Sequence, residues 1–108
     1  MIVALLVVAL AVAVKAAGSL PPPVPSIESG NLHQYVQDHG EALFEGFSRV
    51  RLANVHPGGA AAVKRELVEK SARSMFHNVA TMSDAQKFKY LSGMHRRATE
   101  AEARGEWQ

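Results

Sequence analysis

The sequence predicts an all-α protein with an N-terminal single transmembrane helix, a proline-rich spacer, and a small body of about three amphipathic helices. Three observations predict it. Residues 2–14 are an unbroken run of Ile, Val, Leu and Ala. Four of the five prolines fall at Pro21, Pro22, Pro23 and Pro25. Beyond them, apolar residues recur at helical spacings of three and four. The expected layout is an anchor over residues 1–20, a linker over 21–30, a helical body over 31–104 and a tail over 105–108.

The apolar run is thirteen residues long and as a helix would rise only about 20 Å, short of the roughly 30 Å hydrocarbon core. Continued to Leu20 it reaches nineteen residues, enough to span if Lys15 snorkels its amine to the headgroups. Lys15 is therefore the expected membrane-interface residue. No Lys or Arg precedes the run, so the positive-inside rule favours a body on the cytoplasmic, matrix or stromal side. The competing reading is a signal peptide: thirteen residues suit an h-region, and Ala16, Ala17 and Gly18 offer small residues for cleavage.

The proline cluster removes amide donors and fixes φ, which predicts an extended polyproline spacer that stands the body off the membrane. Pro22 and Pro25 are in PxxP register, but a stiff spacer accounts for them without a ligand role. Asn31 with Gln34 forms a capping-box pattern that starts a helix of about 24 residues. At 100° per residue, Leu32, Tyr35, Val36, Leu43, Phe47, Val50 and Ala53 share an arc of about 120°. Gly40 and Gly46 lie on or beside it, where the helix must bend or another backbone must pack close. Phe44 falls off the stripe and is expected to be exposed, a candidate partner contact.

The stretch Asn54-Val55-His56-Pro57-Gly58-Gly59 stops that helix. A second helix is expected over residues 59–82, with a heptad seam of Ala61, Arg65, Val68, Ala72, Met75, Val79 and Met82. Its small and flexible seam residues predict close packing inside a hairpin. Val63 and Leu67 project from its back beside Ser71 and Ser74, and are a second candidate partner surface. Ser83 with Gln86 is another capping box, opening a third helix with Phe88, Leu91, Met94, His95 and Ala98 on its apolar arc. That helix is expected to fray or project near Gly105. Trp107 then has no core stripe to join, and is either a loose tail or an anchor that docks into a partner or a membrane interface.

Composition narrows the function. The net charge is +2 and there is no cysteine, which removes disulfides, thiol catalysis and cysteine-based metal sites. The basic residues are interleaved with acids, unlike the concentrated basic face that nucleic acid wants. The five histidines form no chelating pattern: His33 and His39 lie about 120° apart on a helix, His56 sits in a turn, and His77 and His95 belong to different helices. A haem held by two of them is conceivable, but nothing specifies it. The serines lack a nucleophile elbow, the glycines form no phosphate cradle, and the carboxylates are spread along solvent faces.

No enzyme is predicted, no cofactor and no small-molecule substrate. The expected function is a non-catalytic single-pass accessory subunit that helps assemble or stabilise a larger membrane protein complex. Its partners are the other subunits of that complex and membrane lipid. An organellar energy-transducing membrane, such as the mitochondrial inner membrane, is one natural home. The alternative is a secreted or periplasmic small helical binding domain left after residues 1–18 are removed.

Overall fold

A computed structural model of the chain describes residues 20–107. The expected transmembrane span and Lys15 lie outside the described residues, among which no helix is long and apolar enough to cross a membrane. The described part is all-helical, without strands. It comprises α1 (Leu32–Val55), α2 (Arg65–Ala80) and α3 (Asp84–Ala103), with short 3-10 turns at Ile27–Ser29 and Ala60–Ala62.

Helix α1 is the central element; α2 and α3 both come close to it and hardly approach each other. This position explains its burial pattern. Tyr35, Gly46, Leu32, Leu43, Gly40, Phe44 and Ser48 are all buried, and at 100° per residue they span an arc of about 220°. A helix covered on two sides must bury more than the single stripe that a wheel drawn for one neighbour predicts. The expected exposure of Phe44 is thereby corrected. Its side chain is 0% exposed and meets Phe76 of α2 edge to face, ring centres 4.8 Å apart.

The start of α1 falls where the pattern places it, but the cap works differently. The Asn31 side chain makes no cap hydrogen bond. Its backbone amide donates to Ser29 Oγ at 3.2 Å, and Gln34 turns along the helix to Asp38. The two glycines also resolve differently from expectation, because α1 runs unbroken and what packs close is aromatic rings. A Cβ at Gly40 would lie 2.9 Å from Phe76 Cε1, and one at Gly46 would run into the indole of Trp107.

Helix α2 begins later than expected. After the Ala60–Ala62 turn, Val63 and Lys64 are extended, with ψ of 119° and 142°, so the helix forms only from Arg65. The seam is shortened accordingly: Val68, Ala72, Met75 and Val79 are buried, whereas Ala61 and Arg65 stay exposed. Ser71 is not on a polar back. It meets the fully buried Ser48 of α1, whose Oγ donates to Ser71 Oγ at 2.9 Å. The buried Ser48 hydroxyl thus finds an acceptor inside the contact, and leaving it without one would cost about 1–3 kcal/mol.

Both ends of α3 are closed by local chemistry. At its start the Ser83 box is complete: Gln86 N donates to Ser83 Oγ at 3.2 Å, and Ser83 N donates to Gln86 Oε1 at 3.0 Å. At its end the chain does not fray. Gly105 takes a left-handed φ of 76°, Glu106 N donates to the Ala101 carbonyl at 2.8 Å and Gly105 N to Glu102 at 2.9 Å. These two bonds are a Schellman closure, which turns the chain back on the helix. Trp107 is thereby brought onto Gly46 of α1 as part of the core's flank; it neither trails nor projects.

Candidate functional site: a latched neck and a cationic groove

Two features of the surface carry more chemistry than their surroundings. The first is the neck. The proline segment does not stand clear of the body but lies on it: Pro21 is buried, and Leu20 and Val24 pack against the core. Two hydrogen bonds fasten it. Tyr35 Oη of α1 donates to the Pro22 carbonyl at 2.7 Å, and His95 of α3 bonds the Pro21 carbonyl through Nε2 at 2.8 Å. A carbonyl only accepts, so the His95 Nε2 carries the proton in this contact. Prolines lack amides but keep their carbonyls, and both bonds use those carbonyls. The expected spacer is corrected at residues 21–24, where a side chain from each of two helices pins the backbone, and Leu20, expected to end the anchor, packs on the body instead.

Burial in this latch pushes the Tyr35 phenol up to about 12, because an ionised phenolate would lose water there. The Tyr35 ring also lies against His39, centroids 5.1 Å apart. The His95 Nε2 is thus engaged by the neck. Among the described residues no group of three or more His, Asp or Glu side chains gathers in a way that could hold a metal.

The second feature is a groove where the three helices meet. A cavity of about 390 Å3 is lined by Phe47 and Arg51 of α1, Met75 of α2, and Tyr90, Met94 and Arg97 of α3. Met75 and Met94, 5% and 3% exposed, form its floor, while Arg51 and Arg97 are exposed at its edge. A hollow of about 220 Å3 shares Phe47, Arg51 and Arg97 and continues the groove toward Glu100 and Trp107. At that end Arg104 binds Glu106 at 3.0 Å. The hydrogen bond from Arg104 leads in holding the Glu106 carboxyl below its usual range, with a smaller contribution from Asn54.

The partner candidates read from sequence do not form one surface. Phe44 is inside and offers nothing to a partner. Val63 is half-buried in the extended link before α2, while Leu67 lies on the helix and is 42% exposed, so the pair is not a shared helical face. Trp107 is half-buried against α1. The groove was missed because its lining comes from three helices. Its one sequence signal is the lack of an acid four residues from either Arg51 or Arg97.

No protein family matches the chain, and neither a curated protein nor a solved structure is significantly similar to it.

Proposed function

We propose that the protein is a non-catalytic, single-pass accessory subunit: the apolar segment before Leu20 anchors it in a membrane, with Lys15 at one interface, and the helical body contacts other subunits of a larger membrane complex. The observation that carries this reading is the latch. The first described residues after the apolar run are bonded to α1 and α3 through Tyr35 and His95. A membrane helix continuing into that segment would hold the body at the bilayer in one orientation instead of letting it swing on a linker. Fixed placement suits a part whose role is geometric. The lysine behind the run supports a body on the cytoplasmic, matrix or stromal side, and the mitochondrial inner membrane is one fitting home.

A second reading, a secreted or periplasmic binding domain, has one observation in its favour. The packing of the body begins at Leu20, so cleavage after Gly18 would leave the latch and every described contact in place. The intact mass of the natural protein decides between them. The anchor reading predicts that residues 1–18 are retained; a mature terminus at Ser19 would overturn it and establish the second reading.

A further inference from the structure

The groove lined by all three helices combines an apolar floor with a cationic edge. Its floor is apolar and adaptable, being made by two methionines and the Phe47 ring, and methionine side chains refit to different shapes at little cost. Its edge carries two arginines; no carboxylate lines the cavity itself, and Glu100 lines the adjoining hollow. Arg49, Arg65 and Arg104 each have an ion pair with a nearby glutamate, whereas Arg51 and Arg97 have neither an ion pair nor a hydrogen bond among the described residues. They stand on different helices, α1 and α3, so a bound anion would also tie those two helices together.

We propose that this groove is the docking site for an acidic amphipathic segment of a partner protein, seating an apolar side chain over Met75 and Met94 and carboxylates against Arg51 and Arg97. Charge complementarity selects the acid, since guanidinium groups bind carboxylates in a forked, two-bond geometry. The concavity selects a protein over a lipid surface. A hollow of about 390 Å3 accepts one or two protruding side chains, which a helix supplies and a flat headgroup layer does not. Tyr90, also among the lining residues, adds an aromatic ring that carries a polar hydroxyl. This inference rests on the accessory-subunit reading for the existence of a partner, and names the chemistry that partner presents.

The test uses the full chain in an uncharged detergent at neutral pH, with its methionine methyl groups labelled with carbon-13 for NMR. The probe is a 14-residue amphipathic peptide of Leu and Glu; the controls are the same pattern in Leu and Lys, and micelles containing phosphatidylglycerol. The Leu/Glu peptide is expected to shift the Met75 and Met94 methyl signals and leave Met82, which lies in the turn between α2 and α3, unmoved. Substituting Arg51→Glu with Arg97→Glu is expected to weaken that peptide at least tenfold and to admit the Leu/Lys peptide, with the Met82 signal reporting that the fold is intact. The proposal is overturned if the Leu/Glu peptide moves neither floor methionine, if the double variant binds it equally, or if the Leu/Lys peptide binds the wild type as well. Phosphatidylglycerol moving the same signals in place of the peptide would overturn it in favour of lipid. Retention of the double variant in native membranes separates the two readings, because the anchor does not depend on the groove.

Discussion

Phe44 shows most directly what a single side chain contributes here. Its ring is fully enclosed between α1 and α2 and meets Phe76 edge to face, so truncation leaves a cavity as well as losing contacts. Phe44→Ala is expected to cost about 3–5 kcal/mol, a large part of the roughly 5–15 kcal/mol available to a domain of this kind. Chemical denaturation checks it; a loss below about 1 kcal/mol would mean the ring is on the surface. Tyr35 makes a prediction in pH. Its folded pKa of about 12 lies above the ordinary value of 10.0, so the folded state holds a proton that the unfolded chain releases. The contribution is complete below pH 10 and is lost as pH rises toward 12. Comparing unfolding of the wild type and Tyr35→Phe over that interval should show a steeper decline in the wild type. Equal slopes would place the phenol in water.

At the scale of the helix, the two capping-box patterns make opposite predictions although they look alike in sequence. The Ser83 hydroxyl accepts the Gln86 amide, and Ser83→Ala is expected to cost about 1 kcal/mol. The Asn31 side chain accepts nothing at the helix start, and Asn31→Ala should change stability by less than about 0.5 kcal/mol. Thermal unfolding of the two variants side by side checks the contrast. The bounds of α1 were legible because the loop before it and the His-Pro-Gly-Gly stretch after it are strong punctuation. The buried seam of α2 from Val68 to Val79 was legible from its spacing. Three things were not. The start of α2 was hidden because an alanine-rich stretch looks helical even where the chain is extended at Val63 and Lys64. The burial of Phe44 and Ser48 required knowing that α1 has neighbours on two sides. The groove lining was dispersed over three helices, and no periodicity on one helix reports it.

At the scale of the whole described part, α1 packs against α2 and α3 and is met by returning chain from the neck and from Trp107. The neck returns through backbone carbonyls, which every residue possesses and which therefore leave no mark in the sequence. The C-terminus returns through Gly105 and the Schellman closure, placing the single tryptophan against Gly46. That gives the fold an internal reporter. Gly46→Ala improves helix propensity by nearly 1 kcal/mol, but its new methyl would occupy the space of the indole, so the ring must move outward. Trp107 emission is expected to shift to longer wavelength in this variant while the helical signal persists. Unchanged emission would show that Trp107 does not rest on Gly46. The sequence signal for this return is Gly105 two residues before Trp107, since a left-handed glycine turns the chain back on its helix.

In the proposed role, the apolar start and the latched neck together hold this helical body against a membrane as one part of a larger assembly. The most direct measurement is extraction of native membranes with a mild detergent, followed by native size determination and identification of what co-migrates. The chain is expected to remain with the membrane after an alkaline carbonate wash, and once extracted to run with other subunits at a size far above its own 11.7 kDa. A chain released by the wash, or one extracted alone at its own size within a detergent micelle, would contradict the proposed role.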